Sequence, residues 1–120
     1  MRKTVDIHGL AKGGPYSHAV ITDYVVFVSG QTGAKKGERN SFEDQFRRSM
    51  NNIQDILKEA DSSLEKVNKI NVYLSKASDF NMLNNLFSEY FKNDPPARTT
   101  LVTRFVNDEI LVEVDVTASR

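Results

Sequence analysis

The chain has no cysteine, no excess of either charge and no long apolar run, and each absence removes a class of function. Without thiols it makes no disulfide, uses no thiolate nucleophile and builds no sulfur-ligated metal site, which fits an intracellular protein. Its 16 basic and 16 acidic residues cancel, and a pI near 6.7 leaves no global electrostatic footprint for nucleic acid. No stretch approaches the roughly 20 apolar residues that span a bilayer. The segment from Met1 to Gly9 lacks the apolar core of a secretory signal, so the expected location is the cytoplasm, with an organelle as the other option. The two histidines, His8 and His18, have no third ligand at metal-site spacing, and no metal is expected.

With 39% hydrophobic and 27% charged residues, the composition is that of a globular chain, and 120 residues suit one domain spanning 1–120. Strands are predicted at 4–7, 19–21 and 24–29, the last two forming a hairpin through Thr22-Asp23. Ser41, with Asp44 three residues on, is a weak helix-start signature. From there Phe42, Phe46, Met50, Ile53 and Leu57 recur at helical steps to about Ala60. Ile70, Val72 and Leu74 alternate in a strand at 69–75. Ser78 or Asp79 caps a second helix, whose Phe80, Leu83, Phe87, Tyr90 and Phe91 are read as core. Strands at 99–105 and 110–118 close an α+β order of β-β-β-α-β-α-β-β, with both helices on one face of the sheet. Lys35, Lys36 and Arg39 read as a solvated loop.

Pro95-Pro96 stiffens the approach to Arg98, and the final strand sets Ile110, Val112, Val114 and Val116 against Leu111, Glu113, Asp115 and Thr117. A held guanidinium and an acid on a neighbouring strand make a candidate polar site. The same residues also read as a structural ion pair of Arg98 with Glu113 or Asp115, or, for Glu113, as a solvent-facing acid. Ser29-Gly30-Gln31-Thr32-Gly33 ends a strand and permits a bulge or a close approach to a ligand. The strand at 24–29 is apolar on both faces, which calls for a second covering surface and hence an oligomer.

Gly14-Pro15-Tyr16-Ser17, Ser29-Gly30-Gln31, Asn84, Pro96-Ala97-Arg98 and Val112-Glu113-Val114 fall in the order and spacing of the RidA family. That family is also called YjgF/YER057c/UK114 and labelled endoribonuclease L-PSP, and the resemblance covers essentially the whole chain. It implies a chorismate-mutase-like fold with a mixed six-stranded sheet, assembled as a homotrimer around a central barrel, with ligand sites in the clefts between subunits. It further implies hydrolysis of 2-aminoacrylate and 2-aminocrotonate to ammonia and 2-oxo acids, without a cofactor. Arg98 then matches the residue that grips the substrate carboxylate, and Glu113 the one that activates water. Tyr16, Ser29, Gly30 and Asn84 match residues of the cleft. Two departures stand out: Thr100 occupies a position where many members carry cysteine, leaving its backbone to serve, and His18 stands where glutamine is usual. Tyr16 reads equally as packing, and Ser29 and Gly30 as a turn. A regulatory module that binds small carboxylates, and an endoribonuclease acting on single-stranded RNA, are the other readings. Neutral charge and the lack of a His/Lys pair weigh against the last.

Overall fold

A computed structural model describes all residues, 1–120. Six strands, β1 (Lys3–Val5), β2 (Ala19–Ile21), β3 (Val25–Thr32), β4 (Val67–Leu74), β5 (Ala97–Val102) and β6 (Val112–Ser119), form one mixed sheet. Two helices, α1 (Phe42–Glu59) and α2 (Phe80–Tyr90), complete the α+β fold in the predicted order. No helix is long and apolar enough to cross a membrane.

α1 starts where the capping pattern places it. Ser41 Oγ accepts from the Asp44 amide at 3.1 Å, and the Asp44 carboxylate accepts from the Ser41 amide at 3.4 Å. The predicted stripe of Phe42, Phe46, Met50, Ile53 and Leu57 is buried, joined by Ile56 and Ala60. It packs on the inward side chains of the sheet, including Val26 and Val28 of β3, Ile70, Val72 and Leu74 of β4, and Val112, Val114 and Val116 of β6. Strict alternation puts Glu113, Asp115 and Thr117 on the opposite, open face.

Three expectations need correction. The spatial order is β1-β2-β3-β6-β4-β5, so the last two strands are not partners: β6 inserts between β3 and β4, antiparallel to both, and β5 runs parallel to β4 at the edge. The segment between them is long enough to step over β4, so a return to the adjacent position is not forced. β5 also begins at Ala97 and stops at Val102, earlier than predicted. In α2, Leu83 and Leu86 are buried, whereas Phe80 is 43% exposed, because a helix over the edge of a sheet has apolar neighbours on a narrow stripe only.

The open face carries Phe27, paired with Thr117, and Leu101, paired with Tyr73, both about half exposed. Between them Asn71 Nδ2 and the Tyr73 hydroxyl donate to the Asp115 carboxylate at 2.8 and 3.0 Å. Within one chain nothing covers this face.

Candidate active site

The first cluster forms where β3 departs from regular pairing. Val28 faces Val116 and Gln31 faces Val114, three steps along β3 against two along β6, so a bulge holds Ser29 and Gly30. Ser29 Oγ donates to the Ser17 carbonyl at 2.6 Å and its amide to the His18 carbonyl at 2.9 Å, tying the loop before β2 to the bulge. That loop brings in Tyr16, whose hydroxyl accepts from the Gly13 amide at 2.9 Å. Gly30 lies directly against this acid: a Cβ there would stand 2.6 Å from Glu113 Oε2, so any larger residue displaces the carboxylate. Tyr16, Gly30 and Glu113 thereby line one cleft of about 640 Å³, with Gln31 and Lys12 beside them. Burial, and then the negative charge of Asp115, hold the Glu113 carboxyl above the usual range.

His18 braces this cluster. It is 1% exposed, its Nδ1 accepts from the Ile7 amide at 2.9 Å, and Nε2 lies 3.3 Å from the Ala11 carbonyl. Both ring nitrogens are engaged by backbone, which makes it a loop anchor. No three His, Asp or Glu side chains converge in metal-site geometry.

The second cluster lies across the sheet. Arg98 sits opposite Ile70 in the parallel β4–β5 ladder, so its side chain rises on the helical face, as does that of Thr100 opposite Val72. The guanidinium carbon is 4.8 Å from the ring centre of Phe87 and 5.7 Å from that of Phe80, and Nη2 donates to Asn84 Oδ1 at 2.8 Å. No carboxylate lies within ion-pair distance of it. Desolvation pulls its pKa below the ordinary arginine value.

The seven residues singled out in the sequence therefore divide: Tyr16, Ser29, Gly30 and Glu113 come together, Asn84, Arg98 and Thr100 come together, and the two groups lie on opposite faces. The ion-pair reading of Arg98 is overturned, since Glu113 and Asp115 are on the far face and Asp115 already accepts two hydrogen bonds. Sequence reasoning missed four contributors. Phe80 and Phe87 read as core; Phe87 does pack against it and Phe80 does not, and both rings also face the Arg98 guanidinium. Gln45, fully buried on α1, donates to the Asn40 and Glu109 carbonyls at 3.1 and 2.9 Å and accepts from the Leu111 amide at 2.9 Å. It thus fixes the approach of β6 to the cleft. Arg48 donates to the Gly33 carbonyl at 2.7 Å and Asn40 Oδ1 at 2.9 Å, holding the end of β3 against α1. A polar residue inside a helical stripe is the signal that could have exposed Gln45.

Residues 7–120 match the family described as endoribonuclease L-PSP. The chain is 37% identical over 94 residues to the mitochondrial protein mmf2 of Schizosaccharomyces pombe, covering 77% of this chain and 75% of that one. It is 29% identical over 109 residues to the human 2-iminobutanoate/2-iminopropanoate deaminase, covering 88% of this chain and 80% of that one. The crystal structure of RidA from an Antarctic Psychrobacter species superimposes with a TM-score of 0.85 at 32% identity, over 92% of each chain.

Proposed function

The chain belongs to the endoribonuclease L-PSP family, also called RidA or YjgF/YER057c/UK114, and from that premise we propose that it hydrolyses reactive enamine and imine acids such as 2-aminoacrylate and 2-aminocrotonate to 2-oxo acids and ammonia. The observation that carries this reading is the state of Arg98. A partly buried guanidinium with one neutral hydrogen-bond partner and no acid beside it has its two-pronged donor face available for a carboxylate.

The division into two clusters supports a site shared between subunits. Arg98 and Glu113 of one chain do not reach one substrate from opposite faces of a sheet. In the proposed homotrimer, Arg98, Asn84 and Thr100 of one copy close the cleft that Tyr16, Ser29, Gly30 and Glu113 form in the next. The uncovered apolar patch around Phe27 and Leu101 supports such an assembly.

The chemistry follows from those groups. The enamine tautomerises to its imine while Arg98 holds the carboxylate. Glu113 takes a proton from water as the water oxygen bonds to the imine carbon. That proton passes to nitrogen to give a carbinolamine; Glu113 then takes the hydroxyl proton and returns it to nitrogen as the carbon–nitrogen bond breaks, so that ammonia leaves and the carbonyl forms. A carboxylate whose pKa is raised is a stronger base toward that water than an exposed one. Imines hydrolyse unaided, so positioning supplies most of the acceleration, and the reading needs neither cofactor nor metal. The proposed location is the cytoplasm or an organelle; the fission yeast relative is named as mitochondrial.

A carboxylate-binding module without turnover uses the same Arg98 geometry and is the second reading. The decisive experiment releases 2-aminoacrylate in the cuvette, from serine and a threonine dehydratase, and follows keto-acid formation. Wild type should accelerate it, and Arg98→Ala should lose roughly 100-fold or more in kcat/KM. Folded wild type that binds 2-oxobutanoate without accelerating hydrolysis would establish the second reading instead. RNA cleavage that survives Arg98→Ala would favour the activity in the family's label.

A further inference from the structure

Phe80, Asn84 and Phe87 are spaced four and three residues apart, so they form one stripe along α2, and that stripe faces Arg98. Asn84 sits between the two rings and accepts from Nη2, while the rings approach the guanidinium carbon at 5.7 and 4.8 Å. Three properties of the stripe matter together. It is neutral throughout, so it leaves the arginine's charge uncompensated. Its rings favour a cation by their quadrupoles, which holds the guanidinium without using its donors. Its one acceptor takes a single N–H, which fixes the rotation of the guanidinium plane and leaves the remaining donors for a ligand.

A helix packing for stability alone gives no reason for this arrangement. Phe80 is 43% exposed and Asn84 is exposed, so neither is a core residue. An aspartate at position 84 would make a stronger bond to Arg98 than asparagine does, and would thereby neutralise it. Such a stripe holds a cation in place and leaves its charge unpaired.

We propose that Phe80, Asn84 and Phe87 are positioning residues that form a neutral cradle for Arg98, setting the affinity of the site for the substrate carboxylate without touching the reacting carbon. This rests on the reading of Arg98 as carboxylate anchor and extends it to the elements that make an anchor of it. The cradle acts on binding, so its loss appears in KM and in the affinity for an unreactive carboxylate more than in kcat.

The test uses the full-length protein, with 2-oxobutanoate binding by calorimetry beside turnover of 2-aminoacrylate. Asn84→Asp should weaken 2-oxobutanoate binding roughly tenfold or more, and by more than Asn84→Ala does, because the aspartate occupies and neutralises the guanidinium. Phe80→Leu should weaken binding by about two- to fivefold, and Phe80→Tyr should restore it, since tyrosine keeps the ring that leucine lacks. Both positions are exposed, and circular dichroism with thermal melting checks that each variant is folded. Normal turnover by wild type with Asn84→Asp and Phe80→Leu both binding as wild type does would overturn the cradle and leave the proposed reaction standing. Graded loss of binding in the cradle variants, with no hydrolysis by wild type, would support the cradle and sink the reaction. Leucine and tyrosine at position 80 behaving alike would reduce Phe80 to packing and overturn its assigned role.

Discussion

Arg98 and Glu113 project from opposite faces of one sheet, with β4 between their strands: Arg98 pairs with Ile70 and Glu113 with Tyr73 of that strand. In the proposed assembly, complementation between subunits follows. Homotrimers of Arg98→Ala and of Glu113→Gln should each be inactive. Co-expressed at equal levels and allowed to mix, they should regain about a quarter of wild-type activity, the fraction of sites that draw an intact residue from each of two copies. Activity that stays at the level of the single mutants in demonstrably mixed trimers would show that the site is not shared.

The Glu113 carboxyl also couples function to stability. Its pKa is raised in the folded state, so the native protein binds more protons than the unfolded chain between the ordinary glutamate value near 4.3 and the raised one. Stability therefore falls as pH rises through that window, and the penalty persists above it. Glu113→Gln should remove turnover yet give a Tm at pH 8 equal to or above that of wild type, the difference closing as pH drops below about 4. Thermal melts of both proteins from pH 4 to 8 test it, and a Glu113→Gln Tm clearly below wild type at pH 8 would contradict it.

Two glycines of β3 and its end should respond differently to alanine. At Gly33 a Cβ would stand 2.1 Å from the Gln45 carbonyl oxygen, a backbone atom in the first turn of α1 that a side-chain rotation cannot move aside. Gly33→Ala should cost about 2–4 kcal/mol in urea unfolding. At Gly30 the nearest atoms belong to the flexible Glu113 side chain, which can swing away. Gly30→Ala should keep most of the stability and lose turnover, with kcat falling more than the affinity for 2-oxobutanoate.

Gln45 is the third stability prediction. Truncating it leaves the Glu109 carbonyl and the Leu111 amide without their partner in a dry environment. Gln45→Ala should destabilise by about 2–4 kcal/mol, and Gln45→Leu, which fills the space, should recover little of that. Chemical denaturation of the two variants decides it: near-complete recovery by leucine would mean that volume rather than hydrogen bonding matters there.

Helices and most strands were legible because each carries a periodic apolar pattern and recognisable ends: Ser41 with Asp44, the stripe from Phe42 to Leu57, and the alternation from Val112 to Val116. What failed was non-local. Nothing near residues 97–119 tells a reader that β4 will sit between β5 and β6, since pairing across 40 residues is decided by the whole sheet. Phe80 keeps the spacing of a core residue while standing exposed, Phe87 packs on the core, and periodicity does not reveal that both rings also face a guanidinium. Gln45 is hidden for the converse reason: a polarity pattern assigns it to water, while three backbone groups satisfy it in the interior. The residues of the candidate site were nameable from the order of short motifs, but their division between two faces was not.

The insertion of β6 between β3 and β4 also bears on how the protein is made. The last of these six strands in chain order, Val112–Ser119, supplies the ladder that joins the β1–β3 strands to the β4–β5 pair. Until those residues clear the ribosome, the two parts of the sheet have no common partner, and the apolar sides of β3 and β4 border an empty slot. Completion of the sheet thus waits for β6, the nascent chain carries two unpaired strand edges until that strand is made, and chaperone protection is needed most during that interval.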